Sequence, residues 1–259
     1  MKHSITNDRT KKKYRIIRIL AVLFWVGIWQ IASMWLGQEI LLASPVSVLK
    51  KLSELIFTVD FWQSIGFSFG RIIFGFTLAV VLGILLGIAA YVSEVVEILL
   101  NPLISVIKST PVASFIILCL IWIPSRNLSV FISFLMVLPV IYTNILTGIR
   151  QTDRQLLEMA DVFEISMGRR IGYIYFSQVL PYFVIACRLS LGMCWKAGVA
   201  AEVIGVPSGS LGEKLYHAKI YLNTPELFAW TIVIIVISVL FETCFLAVVN
   251  YLKSYVEQR

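Results

Sequence analysis

The chain has 259 residues, 59% hydrophobic and only 14% charged, with a mean hydropathy of +0.87. Soluble domains carry about 25% charged residues, so this chain lacks the polar side chains to cover a water-facing surface and reads as an all-α integral membrane protein. Its length allows one multi-span domain and leaves no room for a separate soluble enzyme domain, and its net charge of +7 follows membrane topology rather than forming a nucleic-acid surface.

Six segments hold the roughly 20 apolar residues that a spanning helix needs, at 17–36, 66–92, 99–123, 128–148, 180–204 and 226–250. A basic segment, 1–16, precedes the first. The apolar run from Ile16 to Leu36 is too long for the core of a signal peptide and has no clean small-x-small cleavage site, so it reads as a retained span. An even number of spans leaves both termini on one side. If that side is the cytoplasm, the inner segments carry 13 basic residues: seven before Ile19, four from Arg150 to Arg170, Lys253 and Arg259. The outer segments carry 5: Lys50, Lys51, Arg126, Lys214 and Lys219. Inner loops are enriched in Lys and Arg, so the chain is expected to be N-in and C-in, with loop 149–179 and the tail 251–259 in the cytoplasm.

The second span carries Gly75, Ala79, Gly83 and Gly87, each four residues apart on one helix face. Small residues at this spacing let another backbone approach closely; tight packing inside the bundle is the plain reading, a dimer contact or sliding surface the other. Pro102 and Pro111 flank the entry to the third span and Pro139 lies inside the fourth, where each is expected to break or kink a helix.

Ionisable side chains inside a bilayer are costly and generally face protein or a water-filled path. Arg71 and Glu242 are two such residues, but the fifth span is richest, with Arg188, Trp195, Lys196 and Glu202 as a candidate translocation pathway. At 100° per residue Arg188 and Lys196 lie about 80° apart and Lys196 and Glu202 about 120° apart, which fits a wide polar flank lining a cavity for an anion. The alternative is a set of separate charge pairs that lock the bundle. The four cysteines sit in apolar runs without metal-ligand spacing, and the two histidines, His3 and His217, cannot assemble a metal or catalytic cluster, so no metal is expected.

Between the fourth and fifth spans lies QTDRQLLEMADVFEISMGRRIGYIYFSQVLP, Gln151–Pro181. Asp153 is placed to cap a helix over Arg154–Glu164, on which Leu156, Met159, Ala160 and Phe163 recur as an apolar face. A second helical stretch, Arg169–Phe176, leads into the fifth span. Glu158, Asp161 and Glu164 are the wrong charge for lying on an anionic lipid surface, which leaves packing on the bundle or fitting a groove on a partner.

This loop resembles the EAA loop of binding-protein-dependent ABC transporter permeases, whose pattern is Glu-Ala-Ala, three residues, Gly, nine residues, Ile, one residue, Leu-Pro. Glu158, Met159 and Ala160 take the first triplet and Ile174 falls at its spacing, while Glu164 stands in the Gly position and Phe176-Ser177 in place of Leu-Pro. A second register matches Gly168 and Leu180-Pro181 but puts Val162 at the glutamate; the first keeps Glu and Ala at the docking helix. The likeness runs from about Trp29 to Glu242. It takes in LLASPVSVL, GRIIFGFTLAVVLGILLG, NPLISVIKSTPVASF and RLSLGMCWKAGVAAEVIG, the last resembling the nitrate/sulfonate/taurine subgroup.

The resemblance implies a six-span permease with a helical coupling loop between spans four and five, in a bacterial inner membrane. It implies a cytoplasmic ATP-binding subunit held through Glu158, Met159, Ala160, Asp161, Phe163, Glu164 and Gly168. It also implies an extracytoplasmic substrate-binding protein, and a second permease copy in a homodimer. The solute would be a small anion of the sulfonate, taurine or nitrate type, or alternatively a pyrimidine vitamin precursor. The chain has no GxxxxGK[ST] phosphate loop, so ATP would be used by the partner subunit and the chain itself is expected to bind no cofactor and to be no enzyme. A secondary transporter would be expected to show paired internal repeats, and an intramembrane enzyme a nucleophile–base or metal set within the spans; the sequence supplies neither.

Overall fold

In a computed structural model the chain is described over residues 3–257, with side chains described at 16–17, 19–249 and Tyr251; the ends of the basic segment 1–16 and of the tail 251–259 lie outside the described residues. The element order is α1 (His3–Leu36), α2 (Pro45–Ile56), α3 (Val59–Val92), α4 (Glu94–Ser109), α5 (Val112–Cys119) and α6 (Ser125–Arg150). It continues with α7 (Arg154–Val162), α8 (Met167–Arg170), a π-helical turn (Ile171–Tyr175), α9 (Phe176–Gly205), α10 (Leu211–Ile220) and α11 (Thr224–Glu257). There is no strand among the described residues, as expected where lipid leaves no water to satisfy an open sheet edge.

Five helices are long and apolar enough to cross a bilayer: α1, α3, α6, the rod that ends in α9, and α11. A sixth crossing exists if α4 and α5 are the two arms of one broken span. The segment 99–123, expected as one span, is thus two helices bent by 106°. The cause is local: Pro111 has no N–H to continue the ladder, and it holds Thr110 in an extended conformation at ψ 130°. Pro139 and Pro102, by contrast, sit inside α6 and α4 without ending either helix.

The bundle is built around α6, of which 61% of the span is buried, against 6% for α1 at the periphery. Helices α3 and α9 both pack on α6, and touch each other, through a core that includes Ile72, Phe76, Val137, Ile141, Ala186, Leu191 and Cys194. The small-residue stripe of α3 is what permits this approach. A methyl group added at Gly83 would lie 2.8 Å from Ile141 Cβ, and one at Gly87 2.8 Å from Ile145 Cγ2. At Gly75 it would meet the Val130 carbonyl, and Ala79 is fully buried. On α9, Gly198 makes the matching approach, with Ser133 Oγ 2.6 Å from where a Cβ would stand.

Connecting segments gather at two ends. At one, the Thr224 hydroxyl donates to the Ile40 carbonyl at 2.6 Å, Lys51 pairs with Glu226 at 3.6 Å and Lys214 with Asp60 at 2.6 Å. At the other, Arg150 of α6 pairs with Glu97 of α4, and the rings of Tyr91 and Tyr175 lie 6.4 Å apart. Helix α7 belongs to this second end.

Candidate functional site

The loop between α6 and α9 is a short helix closed at both ends. Asp153 caps α7, its carboxylate accepting from the Gln155 N–H at 2.8 Å. At the other end Glu164 takes a left-handed φ of 50°; the Ile165 N–H donates to the Ala160 carbonyl at 2.9 Å and the Glu164 N–H to Asp161 at 3.1 Å. This is a Schellman closure, in which the left-handed residue is usually glycine. Glu164 therefore stands where a glycine would be unstrained, at the position where the motif pattern has one. Gly168, inside α8, has no positive φ.

The apolar face expected on α7 is divided. Ala160 is fully buried and Leu156 half-buried, whereas Met159 is 46%, Val162 79% and Phe163 71% exposed. Glu158, Asp161 and Glu164 are exposed around them, and Met167 continues the apolar patch on α8. An exposed apolar cluster with an acidic rim, carried on a capped helix, is a surface suited to a partner.

One residue that the sequence pattern did not single out holds this loop. Arg170 donates through Nε to the Ile165 carbonyl at 2.7 Å and through a terminal nitrogen to the Ala160 carbonyl at 3.2 Å, and it pairs with the Asp161 carboxylate. It thereby adds a second donor to the Ala160 carbonyl near the C-terminal end of α7 and a donor to the Ile165 carbonyl just beyond it. Its fork geometry makes it suited to this, and only its neighbourhood to Asp161 and a helix end could have marked it in sequence.

On α9 the four candidate pathway residues separate. Arg188 and Lys196 both lie on the exposed side of the protomer, on a stripe with Ile185, Leu189 and Met193, about 12 Å apart along the helix. Neither pairs with a carboxylate among the described residues. Trp195 and Glu202 point the other way. Trp195 is buried against Phe69 and Phe241, with ring centroids 5.9 and 6.4 Å away. Glu202 is fully buried; it accepts from the Ser68 hydroxyl of α3 at 2.6 Å and from the Gly212 N–H of α10 at 3.3 Å. Ser68 in turn accepts from the Leu211 N–H at 2.9 Å. Glu202 thus acts as a bracket that fixes α10 and the end of α9 to α3. Gly212 is seated directly against it, too close for any added side chain. Ser68 is one hydroxyl in an apolar helix, and nothing in its sequence neighbourhood announces the role.

A groove of about 780 Å3 opens between α3 and α6, lined by Phe74, Leu78, Val130, Phe131 and Phe134 with Arg71 at its edge. The Arg71 guanidinium lies 4.2 Å from the Phe67 ring centroid and donates to the Arg126 carbonyl, so its charge is partnered within the protein. Among the described residues no group of three His, Cys, Asp or Glu side chains could hold a metal ion.

Residues 79–258 match the model of the binding-protein-dependent transport system inner membrane component. The chain belongs to this family. The match starts within α3, so that α1, α2 and the first part of α3 precede it, and it contains the α7 loop and all of α9. Among related permeases, a Bacillus subtilis protein named as an aliphatic sulfonates transport permease is 29% identical, over 84% of this chain and 79% of its own length. The taurine transport system permease protein of Escherichia coli is 28% identical, over 87% and 84%. The nitrate import permease protein of Synechococcus elongatus is 27% identical, over 74% and 72%. The chain is thus a transport permease of the nitrate/sulfonate/taurine subgroup, and its family is one of transport proteins rather than enzymes.

Proposed function

We propose that this permease is the membrane-spanning subunit of an ATP-driven importer that carries a small anion of the sulfonate, taurine or nitrate type. An extracytoplasmic binding protein delivers the solute. In this reading the α7 end faces the cytoplasm, both termini lie there, and the α2–α10 end meets the binding protein. The excess of basic residues in the segments of the α7 end supports that orientation.

The observation that carries the proposal is the exposed cluster of Met159, Val162 and Phe163 on a capped helix outside the bundle. A cytoplasmic ATP-binding subunit covers this cluster, with Glu158, Asp161 and Glu164 at its rim. ATP binding and hydrolysis in that subunit displace α7 and swing the spans between outward- and inward-facing states. Two copies of the chain assemble so that the exposed stripes of α9 enclose the route. There Arg188 and Lys196 supply positive charge to an anion that has left water, where attraction is less screened than at a wet surface.

The test is a photo-cross-linking amino acid in place of Phe163 in the complete transport complex. The proposal expects a covalent adduct with the ATP-binding subunit. Adducts confined to lipid or to the permease itself would remove it. Ala160→Arg is unsuited to this purpose, because Ala160 is fully buried and the substitution would disrupt the loop itself.

A further inference from the structure

We infer that Arg170 is the positioning residue that makes α7 and α9 move as one unit; the inference rests on the proposal that α7 is where the ATP-binding subunit acts. Docking alone does not transmit a displacement. The nine-residue helix α7 stands outside the bundle, and a push on it reaches the solute route only if something rigid joins it to a spanning helix.

Residues 151–153 join α7 directly to α6, but toward α9 sequence continuity supplies no helical joint. Between α7 and α8 the chain makes a left-handed turn at Glu164 and runs through Ile165 and Ser166, a non-helical link. From Met167 onward, however, the chain is helical without interruption: α8, the π-helical turn and α9 follow one another to Gly205. Arg170 sits on that rod immediately before the π-helical turn and reaches back across the non-helical link. Its three partners, the Asp161 carboxylate and the carbonyls of Ala160 and Ile165, are all at the C-terminal end of α7 or just beyond it. Among the described residues, every side-chain hydrogen bond between α7 and a later helix comes from Arg170.

The chemistry favours stiffness. A guanidinium presents several donors in one plane, so contacts to a carboxylate and two carbonyls fix its position and its angle together. A lysine at this position could hold the charge pair but not the planar fork. Ala160, whose carbonyl Arg170 holds, is also the fully buried residue of α7, so the clamp grips the helix where it already meets the protein. A displacement of α7 is thereby delivered to the rod whose far part carries Arg188 and Lys196.

The experiment uses the complete complex of permease, ATP-binding subunit and binding protein in proteoliposomes, with Arg170→Ala, Arg170→Lys and Arg170→Gln. Three quantities are read: ATP-binding subunit retained on the purified permease, ATP hydrolysis, and solute accumulated. We expect retention of the subunit to be unchanged in all three variants. Solute accumulated per ATP hydrolysed should fall about tenfold in Arg170→Ala, as loss of a charged hydrogen-bond set implies, with Arg170→Lys and Arg170→Gln between it and the unaltered protein. Unchanged accumulation per ATP in Arg170→Ala would overturn the inference. Loss of the subunit from any of the three variants would also overturn it, since Arg170 would then be part of the dock. Failure of the docking proposal itself is seen separately, in the unaltered protein carrying the photo-cross-linker at Phe163.

Discussion

Gly83→Ala tests whether the fit of α3 against α6 is as close as the structure makes it. The new Cβ would stand 2.8 Å from both Ile141 Cβ and Cγ2. Comfortable carbon–carbon contact is about 3.5–4.0 Å, so the helices must separate by up to about 1 Å or the isoleucine must move. Ile141 cannot swing aside, because a β-branched side chain in a helix has one favoured rotamer and its Cβ is fixed to the backbone. Overpacking of this kind costs about 1–3 kcal/mol, partly offset by the roughly 0.5–1 kcal/mol that alanine gains over glycine in a helix. Gly70 is the internal control: it lies on the same helix with nothing within 4 Å of its Cβ position. Gly70→Ala should therefore keep the propensity gain and incur no clash. Thermal unfolding of the two purified variants in one detergent should place Gly83→Ala several degrees below Gly70→Ala. A Gly83→Ala protein that melts at or above Gly70→Ala would refute the packing argument.

Replacing Glu164 by glycine should relieve a left-handed strain of about 1 kcal/mol and slow hydrogen–deuterium exchange across 153–170, whereas valine should accelerate it; faster exchange in the glycine variant would contradict the turn geometry. Glu202→Ala strands the Ser68 hydroxyl and the Gly212 N–H and leaves a void, at a cost of about 2–4 kcal/mol, while Glu202→Gln keeps shape and an acceptor and should stay near the parent in thermal stability. An alanine variant of undiminished stability that no longer transports would place Glu202 on the route instead of in a bracket. Arg188→Gln and Lys196→Gln, being exposed, should alter stability by no more than about 0.5 kcal/mol yet slow uptake of an anion; normal uptake in the double variant would remove both from the pathway.

Composition and hydropathy were enough to make the chain a helical membrane protein, because a bilayer demands long apolar helices and little else satisfies it. The stripe from Gly75 to Gly87 was visible as a face because its four-residue spacing needs only the helical repeat. The partner of that face, α6, was not visible, since periodicity fixes angles on one helix and says nothing of which neighbour fills them. For the same reason Arg188, Trp195, Lys196 and Glu202 read as one wide flank, and the structure divides them into two exposed cations and two buried side chains. The break at Pro111 was signalled by the missing N–H, but its 106° size depends on how α5 packs. In the loop, the cap at Asp153 and the departure at Glu164 were legible; Arg170 was not, because its role arises from three partners brought together only by the turn.

The most direct test of the account is solute accumulation in proteoliposomes that hold the permease, its ATP-binding subunit and its binding protein, supplied with taurine, an alkanesulfonate or nitrate. The account predicts accumulation that requires ATP, requires the ATP-binding subunit, and is lost on charge reversal at Glu158. Accumulation by the permease alone, driven by an ion gradient and indifferent to ATP, would contradict it.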